Sequence, residues 1–244
     1  MNINVRKKRR NSNRVRETDS GDGWKVREVV GETAADRQTF YYYKGKIAIR
    51  IELKSKLAQQ LAGYTLIEKD LRNILVWLQA IDAIFPKEEH PNETIISPDR
   101  ERFNTIKGLY VASLTFYGKC FSQCEGRRAQ LNKKLIDQKF HELHEDILKQ
   151  RNNYAAHSGA DKFEDVKIAL VLAPKREINQ PPWLYRELNQ PDLSMSSKDD
   201  DINFRALVEH IREKVIDKMN IVSLKILQDE VAPQGREYWY KQAK

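Results

Sequence analysis

Thr65-Leu66-Ile67-Glu68-Lys69-Asp70-Leu71-Arg72-Asn73-Ile74-Leu75-Val76-Trp77-Leu78-Gln79-Ala80-Ile81-Asp82-Ala83-Ile84-Phe85-Pro86 is the stretch that decides the fold class. Ile67, Leu71, Ile74, Leu78, Ile81 and Phe85 recur at steps of four and three, the period of one face of an α-helix. Thr65 and Glu68 read as a Thr-x-x-Glu capping box, which predicts the helix start, and Pro86 predicts its end.

The same period returns downstream. Ser97-Pro98 predicts the start of a second helix, with Ser as cap and Pro in the first turn. Its stripe is Phe103, Ile106, Tyr110, Ser113 or Leu114, Tyr117 and Phe121. A third helix is expected from about Asn132 to Ala156, with Ile136, Phe140, Leu143 and Ile147 in register. Val166 to Ala173 is short and rich in β-branched residues, so it predicts a strand. Residues 174–203 carry four prolines and the acidic run Asp199 to Asp201, and read as loop. A last long helix carries Phe204, Leu207, Ile211, Val215, Met219, Val222 and Ile226 on one face.

Upstream the period is two. Ile47, Ile49, Ile51 and Leu53 alternate with smaller or charged residues, so Thr39 to Leu53 predicts strand. Phe40 to Tyr43 followed by Lys44-Gly45 predicts a hairpin, and Trp24 to Val30 a further strand. The expected fold class is mainly α, a helical bundle with a small N-terminal β-hairpin or sheet element. Residues 1–22 read as a disordered basic tail. Residues 23–244 read as a single helical domain, with the β element at about 24–53, helices at about 65–229 and the Pro-rich loop at 174–203.

The chain has 244 residues, 40% hydrophobic and 32% charged, which suits one domain with a buried core. Lys and Arg total 43 against 35 Asp and Glu. Seven of the cations (Arg6, Lys7, Lys8, Arg9, Arg10, Arg14, Arg16) lie in residues 1–16, where there is no acid; removing them leaves 36 basic groups against 35 acidic. The nearly neutral body argues against a continuous basic platform for duplex nucleic acid. No apolar run approaches the roughly 20 residues of a membrane span, and the N-terminus has no apolar core of a secretory signal. Cys120 and Cys124 form no disulfide framework. A reduced, cytoplasmic protein without membrane association is expected.

Common catalytic patterns are missing: Gly21-Asp22-Gly23 reads as a turn, and there is no phosphate loop or nucleophile elbow. Cys120/Cys124 and His141/His144 have spacings that put each pair on one helical face, so a zinc site is one reading. Packing is the commoner use of such residues, and no metal or other cofactor is expected. Tyr238-Trp239-Tyr240-Lys241 offers rings for base stacking, but is expected to pack a terminal segment. The basic tail fits polyanion contact through counterion release.

Leu148-Lys149-Gln150-Arg151-Asn152-Asn153-Tyr154-Ala155-Ala156-His157-Ser158-Gly159 holds the candidate site. Arg151 shares the phase of Phe140, Leu143 and Ile147, so it is expected to point into the bundle, where a guanidinium needs a partner. Ser158-Gly159 predicts a helix C-terminus, whose dipole favours a protonated His157. One reading pairs Arg151 with a buried Glu68, Asp70 or Asp82 as a structural lock.

The segment resembles the motif of the HEPN superfamily: an Arg followed directly by a polar residue, then a His after four to six intervening residues. Tyr117-Gly118-Lys119 in the preceding helix is similar to a segment of bacterial members. A second pair, Arg205 and His210, has suitable spacing, but Ala206 follows its Arg and it lies early in its helix. The resemblance implies a four- or five-helix bundle, a homodimer with both Arg-His pairs in one composite cleft, and metal-independent cleavage of RNA. On that reading the 2′-hydroxyl attacks the phosphate, His157 acts as general acid or base, Arg151 binds the non-bridging oxygens and Asn152 orients either His157 or the phosphate. The biological class implied is a toxin or anti-phage endoribonuclease, with an antitoxin or defence-complex protein as possible partner. The alternative is a non-catalytic HEPN-like assembly module of a bacterial defence complex.

Overall fold

The computed structural model describes residues 14–31, 36–84, 100–152, 165–172, 181–189 and 201–243. The chain divides into two compact units, Ser55–Gln228 and a second made of Met1–Lys54 with Asp229–Lys244. The protein is mainly helical, with a small four-stranded N-terminal antiparallel sheet.

In the larger unit, α1 spans Lys56–Ile84 and starts well before the expected Thr65. Ser55 is the effective cap: its Oγ accepts from the Ala58 amide at 3.1 Å. Leu57, Ala58, Gln59, Gln60 and Leu61 are good helix formers and carry the helix on. Thr65 instead donates its hydroxyl to the Leu61 carbonyl at 2.9 Å, the ordinary use of a mid-helix threonine. Helix α2 is Arg100–Phe121, α3 is His141–Gln150 and α4 is Phe204–Lys225. Helix α1 packs against α2 and α4, while α3 packs against both α2 and α4. The stripes meet as expected, and Ile67, Leu71, Ile74, Leu78, Leu114, Leu207, Ile211 and Val215 are fully buried. Each such side chain contributes about 1.5–3 kcal/mol of transfer free energy. Pro86 and Ser97-Pro98 lie outside the described residues.

The third helix is shorter than its period implies. Residues 132–140 form two single 3₁₀ turns, because the Asn132 side chain caps the Lys134 amide and Ile136 and Asp137 are extended. Ile136, Phe140 and Ile147 are still buried: the period reported the face and not the backbone. Helix α4 begins as expected, with Asn203 Oδ1 accepting from the Ala206 amide at 2.9 Å. A second departure is β6. Strands β5 (Asp165–Val171) and β6 (Trp183–Asn189) form an antiparallel hairpin, so the stretch 174–203 is not loop throughout. Pro181 and Pro182 precede the paired residues, where the missing amide costs no ladder bond.

In the smaller unit, β1 (Arg14–Gly21), β2 (Trp24–Val30), β3 (Gln38–Tyr43) and β4 (Lys46–Ile47) follow one another as an antiparallel meander. Residues 14–21 were expected in the disordered tail; they pair with β2 from Arg14 opposite Val30 to Gly21 opposite Trp24. The strand is exposed along its whole length, so backbone pairing holds it and its side chains leave no apolar signal. Its turn uses Gly21 and Gly23 at φ of 81° and 83° around Asp22, conformations natural to glycine. The strand expected to reach Leu53 stops at Ile47. The alternation beyond it half-buries Ile51 and Leu53 without a paired neighbour. The unit closes with a 3₁₀ turn at Ala232–Gln234 and α5 at Gly235–Gln242.

Candidate functional site at the end of α2

Helix α2 ends where the following segment folds back over it. The Leu131 amide donates to the Cys120 carbonyl at 3.0 Å, Gln130 Nε2 to that of Phe121 at 2.6 Å and Arg127 to that of Lys119 at 3.4 Å. The otherwise unpaired carbonyls of the last turn are thereby satisfied. Gly63 of α1 makes room for this segment: a Cβ there would lie 2.8 Å from the Ala129 amide nitrogen. The last turns of α2 present two neighbouring residues, Lys119 and Gly118, to two different surroundings.

Beside Lys119 lies Asp70, fully buried and ion-paired with Arg127, whose side chain is 5% exposed. Lys119 Nζ stands 3.2 Å from the same carboxylate and Lys69 Nζ 3.5 Å. The neighbouring Cys120 thiol is pushed up to about 12, by burial first and the Asp70 charge second. It stays protonated and donates to the Phe116 carbonyl at 3.2 Å.

Over Gly118 lies Arg151. Its backbone continues the helical geometry of α3, and Tyr110 Oη, 2.7 Å from Gln150 Oε1, ties the end of α3 to α2. The arginine stem runs so close to α2 that a Cβ on Gly118 would lie 3.1 Å from Arg151 Cδ and Nε. The guanidinium donates to Asn152 Oδ1 at 2.9 Å. Among the described residues no carboxylate lies within ion-pair distance of Arg151. The acids that would lock it are engaged elsewhere: Glu68 by Arg212 at 2.7 Å and Arg72 at 3.5 Å, Asp70 by Arg127 and Asp82 by Arg205. Arg151 is half-buried and Asn152 exposed. The structure therefore brings Arg151 and Asn152 together. His157, with the expected Ser158-Gly159 cap, lies outside the described residues.

Behind this corner, Tyr117 Oη and His144 Nδ1 are 2.7 Å apart in the core. Burial lowers the proton affinity of His144 and raises the pKa of the Tyr117 phenol. The ring is thus neutral, and it shares this one hydrogen bond with the hydroxyl. The two Cys and two His do not converge. His141 Nε2 faces the Ile136 carbonyl at 2.9 Å, and Cys124 falls beyond the end of α2 with its thiol toward the Lys119 carbonyl. Among the described residues no three His, Cys, Asp or Glu side chains gather into a metal site. The second Arg-His pair is structural: Arg205 holds Asp82, and His210 Nε2 accepts from the Asp137 amide at 3.2 Å while packing on Phe140. Trp239 donates to the Val231 carbonyl at 3.0 Å, whereas Tyr238 and Tyr240 remain exposed.

Sequence reasoning did not find Arg127 as the partner of Asp70, nor the role of Gly118 as the floor beneath Arg151. Asp70 left a signal, an acid beside Leu71 on the apolar stripe of α1; its partner, 57 residues away, left none. Among the described residues no helix is long and apolar enough to cross a membrane. Comparison with protein-family models, with curated proteins and with solved structures finds no significant match.

Proposed function

We propose that this protein is a HEPN-like, metal-independent RNA endonuclease of the toxin or anti-phage type, acting as a homodimer with a composite cleft. The observation that carries the reading is the state of Arg151. It is a half-buried arginine on a side-chain-free floor, hydrogen-bonded to Asn152, while Glu68, Asp70 and Asp82 are each ion-paired with other cations. A bundle that needed Arg151 only as a lock would give it one of those carboxylates.

The chemistry follows from the groups. A guanidinium presents a planar fork of donors that matches two non-bridging phosphate oxygens and remains charged at every relevant pH. Asn152 fixes one NH of that fork, and so the plane in which phosphate is met. Stabilisation of charge developing on the phosphorane is the large term in such a reaction. His157 transfers the proton between the 2′-hydroxyl and the leaving 5′-oxygen. The expected product carries a 2′,3′-cyclic phosphate.

The test is cleavage of a mixed tRNA and mRNA pool in EDTA by the wild type, Arg151→Ala and His157→Ala, each checked for folding by circular dichroism. Cutting by the wild type that both folded variants lose supports the reading, and cutting that survives both removes it. The exposed apolar side chains of the β5–β6 hairpin, Ile168, Leu170, Trp183 and Leu184, favour a second reading, a non-catalytic module of a larger defence assembly. Absence of cutting by folded wild type selects that one.

A further inference from the structure

The register of the N-terminal sheet sorts its side chains onto two faces. Cross-strand partners share a face, so Trp24, Val26, Glu28 and Val30 of β2 stand with Tyr43, Tyr41 and Thr39 of β3. Arg14, Arg16 and Thr18 of β1 and Lys46 of β4 stand on that same face. The opposite face takes Glu17 and Asp19 of β1 with Lys25 and Arg27 of β2. The charges are therefore segregated. The Trp24 face has three cations and one acid, Glu28, which Arg37 already pairs. The other face has two of each sign.

The aromatic side chains on the cationic face are partly open to solvent. Trp24 is 45% and Tyr43 41% exposed, with ring centroids 4.8 Å apart. The two hairpin turns meet beside them: the Lys44 amide donates to the Gly23 carbonyl at 2.7 Å, and Lys44 Nζ hangs 5.4 Å from the Tyr43 ring centre. Immediately ahead of β1 the chain carries five further cations, Arg6 to Arg10, with no acid. Neighbouring exposed rings flanked by cations on one sheet face are the ingredients of a single-strand binding surface: bases stack on rings and phosphates meet Lys and Arg.

We infer that the Trp24–Tyr43 face of this sheet binds single-stranded RNA. The stacking and charge arguments stand by themselves; the choice of RNA over DNA rests on the proposed function. This surface is distinct from the Arg151 corner, and it grips the strand without cutting it.

The test is fluorescence anisotropy of the full chain with a labelled 2′-O-methyl RNA 20-mer, which lacks the attacking hydroxyl and reports binding whether or not the protein is a nuclease. Trp24→Ala and Tyr43→Ala are each expected to weaken binding about 5- to 100-fold, the range for loss of one stacking ring. Trp24→Phe and Tyr43→Phe keep a ring and hold within about threefold, which separates stacking from misfolding. Arg27→Ala, on the opposite face, is expected to change affinity less than Lys46→Ala. Wild-type affinity in both folded alanine variants overturns the proposal, as does an Arg27→Ala loss matching that of Lys46→Ala. Equal or tighter binding of a DNA 20-mer overturns RNA as the occupant. Failure of cleavage in the Arg151 experiment bears on the nuclease reading alone, because this assay contains no cleavage step.

Discussion

Arg127 and Arg151 stand near the same two turns of α2 and are used in opposite ways. Arg127 is almost wholly buried, paired with a fully buried Asp70, with Lys119 on the same carboxylate and the Lys119 carbonyl on its other nitrogen. Arg151 is half-buried, lies over Gly118 and has a neutral neighbour, Asn152. Removing water from a guanidinium is tolerable where a carboxylate replaces it. At Arg151 none does so among the described residues, and the proposed function gives that place to an outside anion. The difference teaches that a buried-phase arginine on a helix is ambiguous until its acid is found.

The largest test of that contrast is Arg127→Ala. It takes from Asp70 its one buried cation, leaving the part-exposed Lys119 and Lys69 on the carboxylate, and is expected to cost about 3 kcal/mol of stability in urea unfolding. Arg151→Ala is expected to stay within about 1 kcal/mol of wild type while cleavage falls about 100-fold or more. Equal stability losses in the two variants would erase the distinction.

The glycines sharpen it next. Gly63→Ala drives a methyl against the Ala129 backbone and is expected to destabilise by about 1–3 kcal/mol. Gly118→Ala meets only the flexible arm of Arg151, and gains about 0.5–1 kcal/mol of helix propensity in offset. Its expected signature is a near-wild-type urea midpoint with roughly tenfold slower cleavage, because the guanidinium is pushed off its floor.

A smaller effect concerns pH. The native pKa of His144 lies below its ordinary 6.5 because the ring is buried, so the unfolded state binds the proton more readily. Stability from this group is complete above about pH 6.5 and is lost as pH falls through the native value. Urea midpoints should decline between pH 7 and 5, and His144→Gln should flatten that decline. The smallest readout is thiol labelling. Cys124 should react with a thiol reagent in the native protein, while Cys120, buried with its pKa near 12, should react only on unfolding.

Much of the helical framework was readable because helix periodicity is local: spacing alone placed Ile67, Leu71, Ile74 and Leu78 on one buried face. It misplaced ends, as at Lys56 and His141, where a single cap or an extended residue decides. It missed β1, whose exposed side chains carry no alternation of apolar and polar because the strand is held by backbone bonds to β2. Of the candidate site, Asn152 lies beside Arg151, and the direction of Arg151 followed from its phase. Its partners did not.

What the sequence by itself determined was the mainly helical class, the buried faces of the helices, the strand Trp24–Val30 and a strand within Val166 to Ala173, and the anomaly of a charged residue on an apolar stripe. What only the tertiary structure decided was which arginine meets Asp70, that Gly118 lies beneath Arg151, and which sheet face collects Trp24, Tyr43 and the cations. The physical reason is range. Period and capping are set within a few residues of chain, whereas an ion pair spanning Asp70 and Arg127, or a shared sheet face, exists only once distant segments pack in one register.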